Sequence, residues 1–246
     1  MNDGYSKTVL ITGSSRGLGA ATAVEFAKKG YNIIINYKES EEQAQFLVNR
    51  IKRECHVKAI SIKADISKEK EVKKLVRVAL EKMGTIDVLV NNAGIAIDST
   101  LEDKSVENFR KILDTNLIGT FLTCKYIGNE MFKNKSGAIV NVSSNSAIDA
   151  YYPYSMDYDA SKAGVISLSH NFALEYAPHV RVNIVAPGWI NTEMNKNLDE
   201  DFIKRENRRI LLGRFAEDEE IAKAIVFCAE SSYLNDSVIK IDGGRY

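Results

Sequence analysis

Cysteine, net charge and long apolar runs are all scarce in this chain of 246 residues. Cys55, Cys124 and Cys228 are widely separated, so they suggest neither a disulfide framework nor a clustered metal site, and a reducing compartment fits them best. Lys plus Arg number 33 and Asp plus Glu also number 33. That balance argues against nucleic-acid binding, which usually draws on a basic excess. No charge-free apolar stretch is long enough to span a bilayer, so no membrane segment is expected. The leading MNDGYSKTVL lacks the basic and apolar segments of a signal peptide, which makes the cytoplasm the default location. Linkers, internal repeats and low-complexity tracts are missing too, and residues 1–246 read as one domain.

What the chain does have is alternation. Apolar runs at Lys7–Thr12, Ile33–Tyr37, Val57–Ala64, Val88–Asn91, Ala138–Val142, Arg181–Val185 and Val238–Ile241 read as strands. Segments with helical spacing separate them: Leu18–Gly30, Ser40–Glu54, Lys68–Met83, a long helix over Val106–Met131, the run after Tyr158, and Glu219–Ala229. Strands alternating with helices predict an α/β, doubly wound Rossmann fold, with an about seven-stranded parallel sheet covered by helices on both faces. Ligands then bind beyond the C-terminal strand ends, where the strand order reverses. Residues 189–214 are charged but dotted with Ile190, Met194, Leu198, Phe202 and Ile210, and they read as a substrate lid of one or two short helices.

Two stretches carry chemistry. Gly13-Ser-Ser-Arg-Gly-Leu-Gly19 joins the first strand to the first helix, where glycines admit a close-lying pyrophosphate and the helix N-terminus attracts it. Tyr158 and Lys162 stand four residues apart ahead of a helical run, hence on one helix face. An ammonium beside a phenol is expected to lower the phenol's pKa and suit it to proton transfer with a carbonyl or alcohol oxygen. Ser143 and Ser144 are alternative hydroxyls for the substrate oxygen. Asn116, among apolar neighbours, is either a structural bond-maker or a local helix distortion near the cleft.

Taken with Asp65, Asn91-Asn-Ala-Gly94, Asn116, Ser144, Tyr158-Asp-Ala-Ser-Lys162, Pro187-Gly188 and Thr192, the glycine turn makes the whole chain resemble the short-chain dehydrogenases/reductases. Gly213–Ile221 and Val238–Gly244 look most like the 3-oxoacyl-(acyl-carrier-protein) reductase group. The resemblance implies that Asn116, Ser144, Tyr158 and Lys162 are catalytic: Tyr158 exchanges the proton, Ser144 holds the substrate oxygen, and Asn116 anchors a proton path toward Lys162. It also implies cofactor contacts from Gly13, Ser15, Arg16, Gly17, Leu18 and Gly19, from Asn36, Tyr37 and Lys38, and from Asp65 and Ile66. Asn91, Ala93, Gly94, Tyr158, Lys162, Pro187, Gly188, Ile190 and Thr192 complete that set. No metal is implied, and a homotetramer is expected from the family.

The second strand ends Asn36-Tyr37-Lys38, without the acidic tip that bonds an NAD ribose, while Arg16, Lys38 and Ser40 suit a 2′-phosphate. NADP(H) is therefore the expected cofactor, with Glu39 as the main objection. The expected partner is a small-molecule or carrier-protein-bound carbonyl. Lys135, His179 and Arg181 are candidate basic contacts for an acidic carrier protein, opposed by Asp149, Asp157 and Asp159. Tyr151, Tyr152, Tyr154 and Met156 form an unusually aromatic loop that either walls an apolar or ring-bearing substrate or packs on the lid or a second subunit. Two other readings stay open: a dehydrogenase of ring, sugar, polyol or steroid alcohols, and a non-catalytic NADP(H)-binding regulator.

Overall fold

The computed structural model describes residues 6–192 and 198–245. Glu193 to Asn197, including Met194 of the expected lid, lie outside the described residues.

β1 (Thr8–Ile11) is buried on both faces: Val9 and Ile11 enter one apolar layer and Leu10 the other. That division follows from the two-residue period of a strand and explains why the run is apolar throughout instead of alternating. β2 (Asn32–Tyr37), β3 (Ala59–Lys63), β4 (Val88–Asn91), β5 (Gly137–Val142), β6 (Val180–Pro187) and β7 (Val238–Ile241) complete a seven-stranded parallel sheet in the order β3-β2-β1-β4-β5-β6-β7. The order reverses between β1 and β4, and the cleft opens at their C-terminal ends.

α1 (Gly17–Lys28), α2 (Glu41–Cys55) and α8 (Asp218–Glu230) cover one face through Phe26, Leu47, Ile51, Ile221 and Ile225. α3 (Glu69–Met83), α5 (Gly119–Lys133) and α6 (Met156–Tyr176) cover the other through Leu75, Ile127, Met131 and Tyr176. Each fully buried Ile or Leu here contributes roughly 2 kcal/mol. Gly84 ends α3 at φ +81°, a backbone shape that glycine adopts without strain.

The stretch expected as one helix over Val106–Met131 is divided. α4 (Val106–Leu113) runs into a π-helical turn at Asp114–Ile118 before α5 begins. Asn116 sits in that turn, fully buried, and spends its side chain on other elements. Apolar periodicity records which face is buried, and it does not record one residue inserted into the hydrogen-bond ladder. Within the stretch 189–214, α7 (Glu200–Arg208) is capped by Asp199, which accepts from the Asp201 and Phe202 amides. Its end is tied to the C-terminal tail through Leu211 N–H to Gly244 O and Leu212 N–H to Gly243 O. Among the described residues no helix is long and apolar enough to cross a membrane.

Candidate active site

The glycine turn is built by close backbone packing. Gly13 (φ +60°) leaves no room for a side chain, since a Cβ there would stand 2.8 Å from Ala93 Cα. Thr12 Oγ1 accepts from the Asn92 and Ala93 amides at 3.0 Å each, and Asn92 Nδ2 donates to the carbonyls of Thr12 and Gly13. Asn92, not Asn91, is thus the residue that braces the turn from β4. The sequence shows the two asparagines side by side without saying which faces the cleft. Asn91 points into the core: its Nδ2 donates to Asn141 Oδ1 at 2.8 Å and its Oδ1 accepts from Thr123 Oγ1 at 2.6 Å. The Asn91 side chain is thus taken up by the core, which leaves its backbone to serve the expected cofactor contact.

The Asn36 amide is also occupied, donating to the Ile62 and Ala64 carbonyls while its oxygen accepts from Gly13 N–H at 3.3 Å. It ties the glycine turn to the end of β3. Tyr37 is buried beside Glu41, and burial raises its phenol pKa. Ile66 is buried against Gly119, where a Cβ would stand 2.7 Å from Ile66 Cδ1. Arg16 stands exposed at the N-cap of α1, beside Ser15, Gly17, Leu18 and buried Gly19.

Lys38 Nζ lies 3.0 Å from Asp65 Oδ2, and the other Asp65 oxygen accepts from the Ser67 amide and hydroxyl. Burial alone would raise Asp65, yet the bonds from Ser67 and Lys38 hold it below the usual carboxylate range. Asp65 therefore caps the turn after β3 and fixes Lys38. On the far side, Gly188 N–H donates to Ile241 O, Ile190 bridges Ala216, and the Thr192 side chain lies over Gly17. These residues fit a nucleotide: a glycine turn closed to side chains, a helix N-terminus behind it, and a backbone shelf opposite.

α6 delivers Tyr158 and Lys162 to the cleft. The Lys162 side chain is buried; its Nζ donates to Val142 O at 2.7 Å and lies 5.6 Å from the Tyr158 ring centroid. Ser143 Oγ turns inward and donates to Lys162 O at 2.9 Å, whereas the Ser144 hydroxyl lies near enough to the Tyr158 phenol to hold its pKa down. Of the two alternative serines, only Ser144 meets the tyrosine. Asn116 Oδ1 accepts from Ile95 N–H at 2.8 Å, and its Nδ2 donates to Ile95 O and to Ser161 Oγ, each at 3.0 Å. Gly94 packs between Asn116 and Lys162: a Cβ there would lie 3.4 Å from both Asn116 Oδ1 and Lys162 Nζ. Asn116 is thus both the bond-maker and the distortion.

The expected low phenol pKa is overturned. Desolvation pushes Tyr158 up to about 12, with Asp159 and Asp98 adding to the rise and only Ser144 opposing it. Burial likewise lowers Lys162 to about 8. Sequence spacing reports a neighbouring charge but not the cost of removing both groups from water, and here that cost dominates. The high value still suits an acid, because an alkoxide is far more basic than a phenolate.

Three further features were silent in the sequence. Lys104 is buried against Asp157, its Nζ 2.9 Å from Asp157 Oδ1, which also accepts from Tyr158 N–H. Glu206 of α7, 2% exposed, accepts from Trp189 Nε1 at 3.2 Å and pairs with Arg245 at 2.8 Å. Tyr152 meets Trp189 and Phe202 edge-on, and Trp189 stacks on Phe215, so the aromatic loop packs against the 189–214 segment. Tyr151 and Tyr154 remain largely exposed.

The expected basic contacts for a carrier protein lie elsewhere. Arg181 donates to the carbonyls of Cys228 and Ala229 at the C-terminal end of α8 and of Leu234 in the loop that follows. Lys135, His179 and Arg181 all adjoin the N-terminal ends of β5 and β6, opposite the cleft.

Residues 7–202 match the family model described as short chain dehydrogenase. The chain is 37% identical over 245 residues to the 3-oxoacyl-(acyl-carrier-protein) reductase of Staphylococcus epidermidis, covering 98% of this chain and 99% of that protein. It is 39% identical over 249 residues to 3beta-hydroxysteroid dehydrogenase 1 of Eggerthella lenta, covering 99% and 95%. Among solved structures, levodione reductase superposes with a TM-score of 0.90 at 33% identity, over 97% of this chain and 96% of that one. A structure titled ElxO with NADP bound gives a TM-score of 0.90 at 32% identity, over 98% of each chain.

Proposed function

This chain belongs to the short-chain dehydrogenase family and is an oxidoreductase acting on CH–OH or C=O groups, and on that premise we propose that it is an NADPH-dependent carbonyl reductase with Tyr158 as proton donor. The observation that carries the reading is the meeting of the Ser144 hydroxyl, the Tyr158 phenol and the buried Lys162 ammonium at one point of the cleft. When bound, the nicotinamide supplies the hydride. The chain's part is position and field. Ser144 and Tyr158 hold the carbonyl oxygen by two hydroxyls, which favours the negative charge that develops there. Tyr158 then gives that oxygen its proton, and the nearby Lys162 ammonium favours the phenolate left behind.

The preference for NADPH rests on β2 ending Asn36-Tyr37-Lys38 with no acidic residue among them, and on Arg16 in the glycine turn and Lys38 after the strand. The NADP-bound relative agrees in kind. A 3-oxoacyl thioester is the first substrate to test, following the Staphylococcus relative. A ring ketone is the second reading, favoured by the wall of Tyr152, Trp189, Phe202 and Phe215 and by the hydroxysteroid dehydrogenase likeness. In this account residues 189–214 act as the substrate lid, 1–246 as a single domain, and the assembly is a homotetramer in the cytoplasm.

NADPH and NADH oxidation followed against an acetoacetyl thioester, a cyclic ketone, a sugar-derived ketone and a steroid tests the proposal. Tyr158→Phe is expected to lose about a thousandfold in kcat while binding NADPH as tightly as the parent. Full activity in that variant, or none with any carbonyl in the parent, overturns it.

A further inference from the structure

Trp189, the only tryptophan of the sequence, has its place set from several sides. Gly188 before it packs against Asn145, the residue after Ser144: a Cβ on Gly188 would lie 3.4 Å from Asn145 Nδ2. The indole stacks on Phe215, with ring centroids 5.6 Å apart, and meets Tyr152 and Phe202 edge-on. Its N–H can only donate, and it donates to Glu206 Oε2 at 3.2 Å. That acceptor is a buried carboxylate. Arg245 Nη2 reaches the same oxygen at 2.8 Å, while Oε1 pairs with Arg209 at 3.2 Å and Arg205 at 3.7 Å. Arg205 in turn lies over the Phe202 ring, 5.0 Å from its centroid. One carboxylate thus holds two rings of the wall, Trp189 directly and Phe202 through Arg205.

A neutral acceptor would satisfy an indole at less cost, because an ionised carboxylate taken out of water gains little over apolar packing even when paired. What the charge adds here is geometry. Arg245 belongs to the C-terminal tail, which already bonds the end of α7 through Leu211 and Leu212. Helix, tail and the shelf after β6 therefore meet at Glu206. On the reading of the cleft as a carbonyl reductase that takes a ring ketone, we infer that Glu206 is a positioning residue for substrate specificity: it fixes the Trp189 indole and the Phe202 ring as a wall against which a ring-bearing ketone stacks. A rigid ring gains from partner rings held at set angles, whereas a linear acyl chain adapts to any apolar surface.

Glu206→Leu with Arg245→Leu removes both charges of the pair, so that neither is left buried alone. Glu206→Gln with Arg245→Leu keeps an acceptor for the indole. Trp189 emission reads the ring directly, without turnover. In the leucine pair acrylamide quenching is expected to rise and emission anisotropy to fall, while the glutamine variant matches the parent. KM for the best cyclic ketone or steroid rises about tenfold in the leucine pair. KM for the acetoacetyl thioester, and kcat for both substrates, stay within about twofold. The glutamine variant recovers the parental KM for the ring ketone. Parental quenching and anisotropy in the leucine pair overturn the assignment, and so does an equal rise in KM for ring and thioester, which marks Glu206 as a general support of the fold. A parent that reduces the thioester but no ring ketone overturns it too. A parent idle on every carbonyl would sink the reductase reading instead, so the two failures are told apart.

Discussion

Lys104 Nζ and Asp157 Oδ1 stand 2.9 Å apart with their side chains only 5% and 0% exposed, and the pair ties the loop after β4 to the first turn of α6. Lys104 also donates to the carbonyls of Ile97 and Tyr154, so one side chain holds both walls beside Tyr158. A pair this deep gains little over apolar packing, but losing one partner strands a buried charge.

Lys104→Ala is therefore expected to destabilise the protein by about 3 kcal/mol, a fall in Tm of about 8 °C for a chain of this size. Lys104→Met with Asp157→Leu should recover most of that loss. Thermal unfolding of the single and double variants checks both statements, and an unchanged Tm in the single variant would refute them.

Lys162 makes stability depend on pH in a definite direction. Its folded pKa of about 8 lies below its usual 10.5. Between those values the unfolded chain holds a proton that the folded chain lacks, so stability rises with pH across that window. Tyr158, raised from 10.0 to about 12, acts oppositely above pH 10. The parent is expected to gain about 2 kcal/mol relative to Lys162→Met between about pH 7.5 and about pH 9.5. Denaturant unfolding of both proteins at the two pH values provides the comparison, and parallel curves would contradict it.

The Lys38–Asp65 pair bears on the cofactor. Its attachment to Asp65 raises the pKa of Lys38 and aims an exposed ammonium along the β2 tip. Lys38→Ala is expected to raise KM for NADPH about tenfold and to leave KM for NADH within about twofold, the difference being one charge-assisted phosphate contact. Steady-state kinetics with each nucleotide decide this, and equal shifts for both would assign Lys38 to the surface alone.

Much of the fold was legible because burial on both faces leaves a plain mark. Val9-Leu-Ile11, Ile33-Ile-Ile35 and Val88-Leu-Val90 are apolar at every position, and among charged, amphipathic helices such runs have no other place than an inner parallel strand. The glycine turn and the Tyr158–Lys162 spacing were legible for the same local reason: a tight turn and a helix face are set by neighbours in sequence. The apolar surroundings of Asn116 marked a bond-maker or a helix distortion without deciding between them, since its partners Ile95 and Ser161 lie far away along the chain.

By itself, then, the order of residues decided strand, helix, turn and the pairing of Tyr158 with Lys162, all of which depend on contacts within a few positions. Folding alone decided that Asn92 and not Asn91 braces the glycine turn, that Ser144 and not Ser143 faces the phenol, and that burial, not the neighbouring ammonium, sets the direction of the phenol's pKa. Each of those outcomes turns on which way a side chain faces and how much water surrounds it, and both are properties of distant segments brought together.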